Sequence, residues 1–170
     1  MNKKIHIYKG GVLDITADAV VNAANATLLG GGGVDGAIHR KAGPQLLEEC
    51  RTLGGCQTGQ AKITGAYNMA PVKHIIHTVG PIYSGSGEDP VLLGKCYTNS
   101  MDLALANKCK DIAFPCISTG VYGYPLVAAC RVALDSLEKW YSEHGDPDIE
   151  AYLCCFSAKE EMAFNEVINS

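Results

Sequence analysis

The stretch Val20–Arg40, VVNAANATLLGGGGVDGAIHR, decides how this chain is read. It opens on an apolar run, Ala19-Val20-Val21, turns polar at Asn22 and Asn25, and passes through four consecutive glycines, Gly30 to Gly33. Val34-Asp35-Gly36 follows, and a helical pattern starts at Ala37-Ile38. A buried strand that ends in a glycine loop and feeds a helix builds an anion site from backbone amides. Glycine lets those amides approach a ligand closely. A flexible linker would not be flanked so tightly by an apolar run and a helical face.

Working outward, the chain alternates strands and helices. Ile5 to Tyr8 reads as a first strand, and Val12 to Thr16 is short and ambiguous. After the glycine loop, Ile38, Ala42, Leu46, Leu47 and Cys50 share a helical face that Gly43-Pro44 breaks in two. Ala61–Ala66 and His74–Val79 are strand candidates. Pro90 opens a helix with Asp89 as its expected N-cap, with Leu93, Cys96, Tyr97, Met101 and Leu105 at helical spacing. Asp111–Ile117 reads as a strand buried on both faces, followed by a second loop, Ser118 to Tyr124. Pro125 starts a helix bearing Leu126, Cys130, Leu134, Leu137 and Tyr141. Ile149–Phe156 is a strand, and Ser157 with Glu160 has capping-box spacing before a last helix with Met162, Val167 and Ile168. The expectation is an α/β sheet covered on both faces, one domain over residues 1–170. Its two loops lie beyond the carboxyl ends of strands, where such sheets bind ligands, and together they can grip a diphosphate.

A net charge of −4 and a pI near 5.7 argue against a nucleic-acid binder working through a basic surface. Backbone amides must therefore do most of the holding of an anion. No N-terminal apolar leader and no run of transmembrane length is present, so a soluble, cytoplasmic protein with no membrane partner is expected. Eight cysteines form no CxxC and no zinc-finger spacing; they read as reduced, buried side chains. No metal and no cofactor is expected.

Gly31-x-Gly33-x-x-Gly36 fits the dinucleotide fingerprint, but no strand ends in an acidic residue some 20 positions on, and no Gly-Lys-Ser/Thr follows. The phosphate-binding idea survives without its nicotinamide and ATPase versions. Asp35 is the most informative residue, because a carboxylate among amides meant for phosphate would repel the ligand if it served binding alone. It either favours the helix N-terminus or positions a water at the non-phosphate end of the ligand. Asn22 and Asn25 either cap the loop or hold sugar hydroxyls. His39, one turn after Asp35, either orients it or is structural, and His77 reads as structural. Ser118 lacks the context of a hydrolase nucleophile. Tyr122 and Tyr124, within the second loop, are expected to stack on a ring or sugar.

Val21–Asn25 (VNAAN), Gly30–His39 (GGGGVDGAIH), His77–Pro81 (HTVGP) and Ser118–Tyr124 (STGVYGY), in this order, make the whole chain resemble the macrodomain family, most closely its MacroD-type ADP-ribosyl hydrolases. The resemblance implies a three-layer α/β/α sandwich with a mixed sheet and an ADP-ribose cleft across its top. Gly32, Gly33 and Val34 would meet one side of the diphosphate, and Ser118, Thr119, Gly120, Val121 and Tyr122 the other. Tyr124 would pack on the distal ribose, Asn22 and Asn25 would contact it, and Asp35 with Asn25 would form the catalytic pair. Phe156 would stack on adenine, beside Gly11 and Val12. There the chain departs from the family: its usual Gly-Asp-Ile is Gly10-Gly11-Val12, so Gly11 replaces an aspartate that bonds the adenine amino group. Asp14-Ile15-Thr16 repeats the motif three residues late, and Ser157 stands where relatives often have aspartate. The implied activity is metal-independent hydrolysis of esters of ADP-ribose, namely O-acetyl-ADP-ribose and mono-ADP-ribose on acidic side chains of proteins. The alternative is a non-catalytic reader of ADP-ribose.

Overall fold

The computed structural model describes residues 1–170. In chain order its elements are β1 (Ile5–Lys9), β2 (Ala19–Ala24), α1 (Gly33–Ala42), α2 (Pro44–Arg51), β3 (Ala61–Gly65), β4 (His74–Val79), α3 (Glu88–Ala106), β5 (Asp111–Phe114), α4 (Leu126–Glu143), β6 (Glu150–Cys155) and α5 (Ala158–Ile168). The strands form one mixed sheet in the order β1-β6-β5-β2-β4-β3. All neighbours are parallel except β3, which runs antiparallel to β4 on the edge.

Period-two alternation sends adjacent residues to opposite faces. Val20, Ile75, Ala113 and Cys154 pack with Ile38 of α1 and Leu46 of α2, whereas Val21, Ile76, Phe114 and Leu153 pack with α3, α4 and α5. Both faces are covered, which is why the inner strands read as continuous apolar runs. The result is the three-layer α/β/α sandwich with a mixed sheet that the sequence implies. No helix is long and apolar enough to cross a membrane.

The chain leaves β4 through α3 and returns at β5 on the other side of β2, so strand order switches between β2 and β5. These two strands pair only at Ala19–Ile112 and Val20–Ala113. β2 runs on to Ala24 while β5 stops at Phe114, so their carboxyl ends part and a cleft opens there.

Several local expectations need correction. Helix α1 begins at Gly33 rather than Ala37, which puts Asp35 in its first turn. Strand β5 ends at Phe114, because Pro115 has no N–H to donate to a ladder. Asp89 lies inside α3 rather than at its N-cap, and its carboxylate accepts from the amides of Ser84 and Gly85 and from the Ser84 hydroxyl. Ser157 makes no side-chain cap bond; Glu160 instead accepts from the Phe156 amide at 2.6 Å. Leu105, Met162 and Ile168 face solvent, and the buried face of α5 is Ala163, Phe164 and Val167.

Candidate functional site

Every loop at the carboxyl ends of the parallel strands contributes to one edge of the sheet. In spatial order these are Gly10–Asp14 after β1, Phe156 after β6, Ser118–Tyr124 after β5, Asn25–Gly32 after β2 and Gly80–Tyr83 after β4.

Two runs of free amides flank the cleft. Helix α1 has Gly32 as its N-cap with no side-chain cap, and the N–H groups of Gly32, Gly33 and Val34 meet no acceptor in the protein. Gly33 adopts φ +58°, a conformation that a residue with a Cβ would resist. Across the switch point, the amides of Thr119, Gly120, Val121 and Tyr122 are equally unpaired. The bonds that shape this second loop, Gly123 N–H to Gly120 O and Tyr124 N–H to Ser118 O, leave its outer amides free. Ser118 itself sits at φ +67° and donates its hydroxyl to Pro81 O at 2.8 Å. The two nests suit an anion without any lysine or arginine.

Asn25 and Asp35 converge on Gly31. A Cβ built on Gly31 would lie 3.1 Å from Asp35 Oδ2 and 3.3 Å from Asn25 Nδ2. Asn25 is fixed by its own loop: its Nδ2 donates to Gly30 O at 2.9 Å, and its Oδ1 accepts from the Thr27 amide and hydroxyl. Gly36 allows α1 to start this close to the loop, because a Cβ there would stand 2.5 Å from Gly31 O.

The sequence expectations for Asn22 give way here. Asn22 is fully buried and is not available to a sugar. Its Nδ2 donates to Asp35 Oδ1 at 2.8 Å and lies 3.1 Å from His77 Nδ1, while its Oδ1 has no partner. His77 Nε2 lies 2.9 Å from Thr64 Oγ1. Burial first, and the neighbouring His39 second, push His77 down to about 4, so it is neutral near neutral pH. His39 Nε2 lies 3.5 Å from Asp35 Oδ1 yet is buried without a hydrogen bond.

Three other expected ligand residues sit differently. Tyr124 is only 5% exposed and packs into the core against Tyr83 rather than standing free for a ribose. Ser118 spends its hydroxyl on Pro81. The Val12 side chain is buried in the α1/α2 core; its N–H makes no bond within the protein. By contrast Val121 is fully exposed and Phe156 is 82% exposed, apolar surface of the kind that marks a binding edge.

Beside Phe156, Gly11 donates its amide to Asp14 Oδ2 at 2.8 Å. A Cβ on Gly11 would meet Phe156 Cδ2 at 3.2 Å and Asp14 Oδ2 at 3.4 Å. The Asp14 carboxylate thus borders the space where a side chain at position 11 would begin. Sequence reasoning missed Tyr83, whose amide donates to Tyr122 O, and the part played by Thr64; neither carries a sequence signal of its own. No three His, Cys, Asp or Glu side chains converge as a metal-ligand set.

Comparison with known proteins bears on this arrangement. The Macro domain family model matches residues 21–133. The ADP-ribose glycohydrolase MACROD1 of Bos taurus is 49% identical over 168 residues, covering 98% of this chain and 51% of that protein. The macro domain-containing protein CT2219 of Chlorobaculum tepidum is 49% identical over 168 residues, covering 98% of this chain and 96% of that protein. Among solved structures, the Trypanosoma brucei macrodomain in complex with ADP-ribose superposes with a TM-score of 0.90 at 46% identity, covering 98% of this chain and 69% of that one. The chain spans about half the length of the cattle and mouse MACROD1 relatives.

Proposed function

The chain belongs to the macro domain family, and from that footing we propose that it is a hydrolase of ADP-ribose esters. Its substrates would be O-acetyl-ADP-ribose and mono-ADP-ribose carried on acidic side chains of proteins. The observation that carries the reading is the meeting of Asn25 and Asp35 across Gly31, at the end of two runs of unpaired amides. A pure binding site for a diphosphate has no use for a buried carboxylate there. The solved relative with ADP-ribose bound supports the ligand, and the relatives named ADP-ribose glycohydrolase support hydrolysis of a bond to ADP-ribose.

In this reading the amides of Gly32, Gly33 and Val34 and those of Thr119 to Tyr122 hold the two phosphates. The exposed ring of Phe156 stacks on adenine, with the Asp14 carboxylate beside it as acceptor for the amino group. The distal ribose then lies by Asn25 and Asp35. Asn25 and Asp35 Oδ2 hold a water; Oδ2 takes its proton as the oxygen attacks the ester carbonyl carbon, and returns that proton to the ribose oxygen as the bond between this oxygen and the acyl carbon breaks, releasing the free acid and ADP-ribose. The two nests hold a part of the substrate that does not react, so their part in the rate is to position the distal ribose against Asn25 and Asp35.

The test is turnover of acetyl-ADP-ribose and of a glutamate-linked ADP-ribosyl protein by the wild type and by Asp35→Asn. Wild-type turnover of both, with loss in the variant and retained ADP-ribose binding, is expected. Binding without turnover by the wild type would instead make the protein a reader.

A further inference from the structure

We propose, resting on the hydrolase reading, that Thr64 and His77 are positioning residues that act through Asn22 to reserve Asp35 Oδ1 and leave Oδ2 as the oxygen that meets water and ribose. The donor and acceptor roles along this buried chain depend on the His77 tautomer, and the acceptors at its two ends, Gly65 O and the Asp35 carboxylate, together fit one of the two neutral tautomers. Thr64 Oγ1 lies 3.0 Å from Gly65 O, an acceptor only, so its single proton goes there. The same hydroxyl, 2.9 Å from His77 Nε2, must then accept, which places the ring proton on Nε2. Nδ1 is left bare and takes one N–H of Asn22 at 3.1 Å. The second N–H of that amide goes to Asp35 Oδ1 at 2.8 Å.

The cost of this order is visible. Asn22 Oδ1 is buried with no partner, a state that folded proteins seldom tolerate without reason. Turning the amide over would set that oxygen against a carboxylate and an imine lone pair, which is worse. The orphan is therefore the mark of an amide oriented by its donor side. Asp35 Oδ1 is filled from below, and Oδ2 faces Gly31 and Asn25.

The polarity also needs a neutral His77. The groups around it are Cys50 of α2, whose Sγ is 3.9 Å from Nε2, His39 of α1 at 6.5 Å between ring centroids, Thr64 of β3, and Asp35 beyond Asn22. Asp35 is screened by the amide, and with His39 opposing a charge and the ring fully buried, His77 stays neutral above about pH 4.

Thr64→Val keeps the volume and removes the acceptor for Nε2–H; Thr64→Ser keeps the hydroxyl. On acetyl-ADP-ribose, Thr64→Val is expected to lower kcat about 10- to 100-fold while KM and ADP-ribose affinity stay level, since a small misplacement of the base costs that much. Thr64→Ser should restore most of the rate. Independently, nitrogen NMR of the wild type should show His77 protonated on Nε2 and bare on Nδ1 between pH 5 and 8. The opposite tautomer, or an unchanged kcat in Thr64→Val beside an active wild type, overturns this role alone. A wild type that binds ADP-ribose and turns over no ester overturns the hydrolase reading, and this role with it.

Discussion

Asp35 carries more of the proposed chemistry than any other residue, and its surroundings say which change isolates that chemistry. Asp35→Asn keeps an oxygen for Asn22 and removes the base. Its turnover should fall by about 10²- to 10⁴-fold with ADP-ribose affinity nearly unchanged, as calorimetry and single-turnover rates would report. Gly31→Ala tests the convergence from the other side. Its Cβ would press on Asp35 Oδ2 and Asn25 Nδ2 at 3.1 and 3.3 Å, so about a tenfold loss of kcat is expected with little change in Tm. At the adenine end, Asp14→Ala should weaken ADP-ribose about five- to tenfold while leaving a hypoxanthine analogue unaffected, the loss of one partly exposed hydrogen bond to a charged group. Restoring an aspartate at Gly11 would set two carboxylates together beside Phe156, so Gly11→Asp is expected to weaken binding rather than repair it.

At the scale of the element, the decisive feature is that α1 starts at Gly33, against the loop that feeds it. That early start gives the helix uncapped amides at its positive end and puts Asp35 in the first turn, where the dipole favours a carboxylate. The packing has one narrow point, Gly36. With a Cβ 2.5 Å from a backbone oxygen, Gly36→Ala must push the glycine loop outward. About 1–3 kcal/mol of stability should be lost, as for other overpacked sites, and the nest should open. Thermal unfolding and ADP-ribose affinity would both fall; intact affinity would mean the loop yields without cost. The second loop is held differently, by Ser118 to Pro81 and Tyr83 to Tyr122, so β4 and β5 set its height.

For the whole molecule, the buried polar chain under the cleft ties stability to pH. His77 titrates at about 4 folded and near its ordinary 6.5 unfolded, so the unfolded chain takes up the proton first as pH falls. Its contribution is fully present above about pH 6.5 and is lost between there and pH 4, a loss of about 3 kcal/mol if the whole shift is realised. Chemical denaturation at pH 7 and pH 4.5 would measure it, and His77→Gln should flatten the slope. The eight thiols tell a second story at this scale. All are free and only Cys116 is not buried. Burial raises Cys50, Cys96, Cys109 and Cys155 to about 11 and Cys154 to about 12. A thiol reagent at pH 8 should therefore label no more than about one cysteine in the native protein and all eight after denaturation.

The sequence by itself determined the α/β alternation, the sandwich and the position of both glycine loops at strand ends. These follow from local patterns: apolar runs for strands covered on both faces, 3.6-residue spacing for helices, and glycine or proline at the breaks. It also singled out Asn25 and Asp35 as places where chemistry should be sought, and the resemblance to macrodomains added Gly11 and Phe156. Only the tertiary structure decided what each side chain faces. Asn22 reads as a loop asparagine, yet the pairing of β2 with β4 in register sets it opposite His77 and beneath Asp35. Tyr124 reads as a ligand aromatic, yet the fold of its loop turns the ring into the core. Asp14 reads as a misplaced motif, yet a turn back onto the Gly11 amide brings its carboxylate to Phe156. In each case the direction of a polar or aromatic side chain depends on contacts across strands and turns. Those contacts leave no periodic trace in the chain.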